Sequence, residues 1–397
     1  MNTALPVGAW WLRPAMLFDG ARLHNDVALQ IEHGRVRALA PADIAARDGK
    51  PYRQTECLAC PAFVDLQVNG GGGVLFTQEP TPEALRTIAA AHRKGGTGSW
   101  FPTLMTSTSE VMEQAVASVI SVYGTYGVAG MHIEGPHIAA DFRGAHALEL
   151  IRPFDEHTLT LVRRLRAHLI PLVLTLAPEL LPDGVLRQLK QLGVRVAIGH
   201  SGATEQQTRA ALADGASLFT HLFNGMPPLR TKKPGMTGVA LDSEAWCGVI
   251  VDGYHVDDTM LRLAVRAKRS PNTLFAVTDA MPTVHGPDHF TLYGATIRVQ
   301  DGRLVDARGS LAGVHIDMIG TLQRLVTRVG LPIQTALAMV TAIPAKAVGI
   351  DPQCGYLLPD SRADIALLDP QHLQLQHLLL GGKCSTPAEG PRVFESG

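Results

Sequence analysis

Eight short, almost wholly apolar runs recur along this chain at intervals too long for hairpins, and that recurrence limits the possible folds more than any other feature. They are 63–69, 99–104, 130–134, 170–178, 195–201, 217–224, 247–255 and 273–280. Between most of them lie stretches whose apolar residues return with a period near 3.6: 81–96, 156–168, 184–193, 203–215 and 257–269. The first of these opens with Thr81 as a helix cap and Pro82 at the first helical position, and closes at Gly95-Gly96. Strands that are apolar throughout, rather than alternating, belong to a parallel sheet covered on both faces. Eight such units predict a closed (β/α)8 barrel, with an open doubly wound sheet as the alternative. A barrel takes about 250 residues, so a chain of 397 leaves room for one small additional domain.

That domain is expected from the two ends of the chain. Residues 27–41 read as two strands around a turn at His33-Gly34, and 355–369 and 373–382 return to strand character. A small β-sandwich built from 1–60 and 350–397 would then bracket a barrel over 61–349. Within the barrel region, 289–310 alternates like a hairpin insertion with Asp301-Gly302 at its turn, and 315–330 and 335–349 read as helices. Aromatic residues make up only 5% of the chain, so the cores must be built mainly from Ala, Val, Leu and Ile.

Charge and cysteine usage narrow the setting. With 35 Lys and Arg against 36 Asp and Glu, the chain has no global attraction to nucleic acid or anionic lipid. No apolar run approaches the roughly 18 residues of a membrane span, and the start has no basic residue before Arg13, against a secretory signal. The expectation is a small-molecule enzyme of the cytoplasm, with neither nucleic acid nor membrane as partner. Five scattered cysteines suit a reducing compartment. Cys57 and Cys60 form a C-x-x-C without the second pair or nearby histidine of a zinc ribbon, and read as ordinary thiols.

Polar residues close the apolar runs. The third ends in Glu134, the fifth in His200, the sixth in His221, the seventh in His255 and the eighth in Asp279. One histidine in such a place is ordinarily structural. Five such residues on one barrel face, where catalytic sites of this fold lie, would each need a buried partner if they were only packing. Glu134, His200 and His221 form a two-histidine, one-carboxylate set of the kind that holds a catalytic zinc, although imidazoles also suit other transition metals. Asp279 beside a metal can take a proton from water and return it to a leaving group; a capping role in TDAMP is the alternative. The first run ends in Gln67-Val68-Asn69, where two imidazoles would serve a binuclear hydrolase, so one divalent metal ion per subunit is expected. Gly70 to Gly73 could cradle a phosphate, but the Lys-Ser/Thr of a P-loop is missing and tight turns are the commoner use of such a run.

The segments FVDLQVNGGGG, GMHIEGPH, RGAH, AIGHSGAT, THLFNGM, DGYH, VTDA and GSLAGV follow one another from Pro61 to Gly349. In this order they resemble the N-acetylglucosamine-6-phosphate deacetylases of the amidohydrolase superfamily. The resemblance implies a metal-dependent barrel flanked by a β-sandwich from both termini, generally a homodimer. It implies Glu134, His200 and His221 as ligands of one metal ion, zinc being expected, Asp279 as acid/base, and His146 as the histidine near the substrate carbonyl. Ala145, Asn224, Gly225 and His255 would contact the sugar phosphate, and Ala312, Gly313 and Val314 would border it. Lys232 would reach the phosphate in the neighbouring subunit's site.

Two departures stand out. Relatives have Arg then Glu where this chain has Lys232-Lys233 before Pro234-Gly235, and ALELIR follows RGAH in place of a small polar pair. The activity implied is release of acetate from an N-acetyl amino-sugar 6-phosphate. The readings left open are another N-acyl substrate, such as N-acetylgalactosamine 6-phosphate or an N-acyl amino acid, and a sugar-phosphate binding protein without catalysis.

Overall fold

The computed structural model describes Pro6 and residues 8–385; the rest of the expected 1–60 and 350–397 segments lies outside the described residues. The chain divides into two compact units. One comprises Asp65–His92 and Trp100–Asp317, the other Met1–Val64, Arg93–Ser99 and Met318–Gly397 over their described residues.

An eight-stranded parallel sheet, most of it in the first unit, comprises β1 (Phe63–Val68), β2 (Thr97–Leu104), β3 (Met131–Glu134), β4 (Leu172–Leu176), β5 (Arg195–Ile198), β6 (Ala216–Phe219), β7 (Trp246–Ile250) and β8 (Leu274–Val277). They lie side by side in chain order. The sheet is brought round on itself by a bridge between Val68 and Ala280 and by the Asp279 N–H donating to Gln67 O at 2.9 Å. Buried Asp65 stitches the same seam, its carboxylate accepting from the Thr278 hydroxyl at 2.5 Å and the Thr278 N–H at 3.2 Å. This is the (β/α)8 barrel expected from the eight apolar runs.

Seven helices alternate with the strands: α1 (Pro82–Arg93), α2 (Ser109–Val122), α3 (Glu156–Ala167), α4 (Val185–Gln191), α5 (Glu205–Asp214), α6 (Gly235–Asp242) and α7 (Asp258–Ala267). Their starts are set by local chemistry. Thr81 Oγ1 accepts from Ala84 N–H ahead of α1, Asp155 caps α3, and Thr204 with Gln207 forms a reciprocal capping box on α5. Two helices are absent from the expectation. α6, GMTGVALD, is buried at five of its eight positions, so it has no polar face to give it a period.

The segment expected as a hairpin is a three-stranded antiparallel sheet, His289–Leu292, Ala295–Gln300 and Arg303–Val305. Its turns fall at Tyr293-Gly294 and Asp301-Gly302, with φ of 48°, 79°, 51° and 77°. Two consecutive positive φ values suit the twist of a two-residue hairpin. Phe290, Leu292, Ile297 and Leu304 of this insertion bury against Leu75, Met105 and Met281.

The second unit contains a four-stranded and a six-stranded sheet. The four-stranded sheet runs in the order Arg35–Pro41, Val27–Glu32, Trp10–Arg13, Tyr52–Gln54. The six-stranded one runs Lys383–Cys384, Leu375–Leu380, Ile365–Leu368, Leu58–Pro61, Met16–Phe18, Leu23–Asn25. Trp10, Leu12 and Leu29 of the one meet Leu17, Ile365 and Leu379 of the other in a single apolar core. The helices Met318–Thr327, Ile333–Val340 and Ala342–Val348 belong to this unit too. Cys57 and Cys60 are free thiols. Among the described residues no helix is long and apolar enough to cross a membrane.

Candidate active site

β5, β6 and β8 are shorter than the apolar runs that announced them, and the difference places the chemistry. β5, β6 and β8 end at Ile198, Phe219 and Val277, and two residues beyond each end stand His200, His221 and Asp279. All three adopt the left-handed backbone conformation, with φ of 49°, 26° and 51°. An L-residue is held there only when its surroundings over-determine it. Glu134 is the last residue of β3 itself.

The surroundings are hydrogen bonds. His200 Nδ1–H donates to Phe142 O at 2.8 Å, and His221 Nδ1–H to Asn224 O at 3.2 Å. Each bond fixes the tautomer, so both Nε2 lone pairs turn inward. They stand 3.0 Å apart, at 3.3 Å (His200) and 3.1 Å (His221) from Glu134 Oε1. One donor atom from each of the three buried residues lies within 4.8 Å of the others, the one such group among the described residues. Two imidazole acceptors facing each other and a carboxylate are mutually repulsive unless a cation or proton lies between them. The donor set therefore fits a divalent metal. Burial would raise the Glu134 carboxyl, but where a proton takes the cation's place on the imidazoles, hydrogen bonds and positive charge from His200 and His221 hold it well below the usual carboxylate range. Burial depresses His221, while Glu134 and Asp279 outweigh that and bring it to about 8.

Strand β1 contributes amides in a role the sequence did not reveal. Gln67 Nε2 donates to both Glu134 Oε1 and Asp279 Oδ1, each at 3.0 Å. Asn69 Nδ2 donates to Asp279 Oδ1 at 2.7 Å. Where imidazoles would ligate a second metal, these amides clamp the two carboxylates. Burial and the Glu134 charge nevertheless push Asp279 up to about 6.

His146 is oriented by Thr106, whose N–H (3.3 Å) and hydroxyl (2.8 Å) both address Nδ1. Nδ1 thus accepts and Nε2 carries the proton, on the side of Glu134 Oε2, 3.9 Å away. Burial and neighbouring His200 depress its pKa to about 3, leaving a neutral ring that donates from Nε2. His255 is aimed by Asp252, whose Oδ2 accepts from Nδ1 at 2.6 Å. Thr106 and Asp252 were not singled out from sequence; the i,i+3 spacing in DGYH was the one available signal for Asp252.

These groups lie along a cavity of about 530 Å³. Of the expected residues, Glu134, Ala145, His146, His200, His221, Asn224, Gly225, His255, Asp279, Ala312 and Gly313 line it. Val314 is buried behind the wall, its carbonyl accepting from Met281 N–H at 3.1 Å. Lys232 is exposed on the loop between β6 and α6 and is not part of the lining. Asn224 Nδ2 and Asn69 Oδ1 are buried without a protein partner, so each has an unused polar valence beside the site. The glycine run does not cradle an anion. The N–H groups of Gly70, Gly72 and Gly73 donate to Ala280 O, Val284 O and Pro282 O. The approach is so close that a Cβ on Gly70 would stand 2.3 Å from Val74 O.

Metal-ligand geometry at the carboxyl ends of parallel barrel strands, with a clamped carboxylate beside it, defines a metal-dependent hydrolase. The chain belongs to the amidohydrolase family, whose model it matches over residues 58–388. It is similar to the N-acetylgalactosamine-6-phosphate deacetylase of Shewanella sp. (strain ANA-3), 35% identical over 89% of this chain and 92% of that one. It is also similar to the N-acetylglucosamine-6-phosphate deacetylase of Haemophilus influenzae, 31% identical over 81% and 84%. The crystal structure of N-acetylglucosamine-6-phosphate deacetylase from Pasteurella multocida superposes with a TM-score of 0.89 at 30% identity, covering 95% of this chain and 99% of that one.

Proposed function

We propose that the chain hydrolyses the N-acetyl group of N-acetylglucosamine 6-phosphate, giving glucosamine 6-phosphate and acetate. The observation that carries this reading is the convergence of three metal-ligating side chains, a clamped carboxylate and a neutral, proton-donating histidine on one cavity. A divalent cation held by Glu134, His200 and His221, zinc being the best match to that donor set, would supply Lewis-acid polarisation of the amide carbonyl and a more acidic water. Asp279 takes a proton from the attacking water at a carboxylate oxygen. Its raised pKa lets it keep that proton until the amine departs. His146 Nε2–H donates to the carbonyl oxygen as negative charge gathers there. Transfer of the proton from Asp279 to nitrogen then breaks the C–N bond.

Ala145, Asn224, Gly225, His255, Ala312, Gly313 and Val314 would hold or border the sugar phosphate, one metal ion would serve each subunit, and the protein would act in the cytoplasm as a homodimer with Lys232 near the partner's site. A second reading, the galactosamine epimer, is favoured by the 35% identity to the Shewanella relative.

The test is acetate release by metal-loaded protein from N-acetylglucosamine 6-phosphate, N-acetylgalactosamine 6-phosphate, their unphosphorylated forms and an N-acetyl amino acid. The glucosamine phosphate should be hydrolysed with the highest kcat/KM. A higher value for the galactosamine phosphate would select the second reading. No acetate from either sugar phosphate at full metal occupancy would overturn both.

A further inference from the structure

The insertion after β8 supplies a wall of the cavity that, apart from the GSLAGV segment at its end, sequence motifs do not mark. Leu292, Tyr293, Ile297 and Leu311 present apolar surface there, and Arg308 follows the last insertion strand. The wall is anchored. Its inner face buries against Met105 and Met281, Gln78 Nε2 donates to Thr291 O at 2.9 Å, and the Tyr254 hydroxyl donates to Asp301 O at 2.5 Å.

Charge around the cavity is uneven. Glu134, Asp279 and Asp306 are all among its lining residues, whereas Arg308 is the single Lys or Arg in the lining among the described residues. The Arg230, Lys232 and Lys233 side chains are exposed and lie outside that lining. A phosphate dianion entering an acid-lined cavity is favoured by a permanently charged side chain, and Arg308 is the one in the lining among the described residues. Its local structure suits that task. Asp306 accepts from the N–H groups of Arg308 and Ser310, both at 2.9 Å, which fixes the turn. The guanidinium rests on Asp306 only through Nε and Nη2, each at a long 3.4 Å. Its remaining N–H groups have no partner among the described residues, and the side chain is 86% exposed. A planar fork with spare donors is the group that binds phosphate oxygens two at a time.

Resting on the deacetylase reading above, we propose that Arg308 is a specificity-determining residue that binds the substrate phosphate from within the same chain. Lys232, whatever its position in an oligomer, is then not the sole phosphate contact.

The experiment compares kcat and KM for N-acetylglucosamine 6-phosphate and for N-acetylglucosamine in wild type, Arg308→Ala, Arg308→Lys and Lys232→Ala, each checked for metal content and Tm. Arg308→Ala should raise KM for the phosphorylated sugar about tenfold, leave kcat near wild type and leave the neutral sugar unaffected. Arg308→Lys should recover part of the loss. An unchanged ratio of kcat/KM between the two sugars in Arg308→Ala would overturn the inference. So would a loss confined to Lys232→Ala. Failure of the deacetylase reading is a separate result, since wild type would then release acetate from neither sugar.

Discussion

On the floor of the cavity each proposed functional side chain is held by a second group, whereas the basic side chains at its rim (Arg308) and outside its lining (Lys232) are nearly unrestrained. His200, His221, His146 and His255 are oriented through Nδ1 by Phe142, Asn224, Thr106 and Asp252, and Glu134 and Asp279 share the amide of Gln67. Arg308 touches Asp306 at 3.4 Å, and Lys232 stands exposed on its loop. The contrast separates two jobs. Groups that stabilise a transition state must be in place before the reaction, because reorganising them would cost part of the rate. Groups that capture an anion from solution can reorganise as it arrives. Floor substitutions should therefore lower kcat, and rim substitutions should raise KM.

The largest effect is expected on the floor. His200→Ala or His221→Ala removes one of the three proposed protein ligands, so elemental analysis should fall well below one equivalent and acetate release should drop to background. Two equivalents retained in either variant would break the one-metal assignment. Asp279→Asn keeps the shape and the hydrogen bond from Gln67 but cannot accept a proton. Turnover should fall by about 10²–10⁴-fold with metal content unchanged; near wild-type turnover would remove Asp279 from the chemistry. Gln67→Ala releases both carboxylates at once and should cost about 10–100-fold in metal affinity or activity, measured by metal titration alongside kcat. If it changes KM alone, the division between floor and rim does not hold.

Smaller effects sharpen the same contrast. Lys232→Ala should leave kcat unchanged and raise KM for the phosphorylated sugar a few-fold, and less than Arg308→Ala does, as expected of a point charge compared with a fork. Asp65, in the β1–β8 seam, should show itself in stability rather than rate. Burial raises its pKa to about 7 from about 3.9 in an unfolded chain. Between those values the folded state binds more protons, so stability should decline as pH rises from about 4 to about 7 and level off above. Tm measured across that range should have a shallower slope in Asp65→Asn; an identical slope would mean that Asp65 is ionised throughout.

Much of the floor was legible. The runs ending in Glu134, His200, His221 and Asp279 identified the barrel and the residues that cluster on its face, because a strand apolar throughout has no packing use for an imidazole or a carboxylate at its end. The clamps were not legible. Thr106 reaches His146 across 40 residues and Gln67 reaches Asp279 across 212, and no local pattern marks such pairs. The strands of the insertion were legible as an alternation over 289–310, which announces strands without saying that they wall a cavity; beside them the resemblance marked only Ala312, Gly313 and Val314.

The amino-acid sequence by itself determined the eight-fold repeat, the order of its polar endings and the residue types of the three-donor cluster, since period and residue chemistry are properties of short segments. Only the tertiary structure decided which nitrogen of each histidine faces the donor cluster, that Gln67 and Asn69 serve as clamps, and that Arg308 belongs to the cavity. Those outcomes depend on which backbone carbonyl or carboxylate arrives within about 3 Å of a side chain once the barrel has closed.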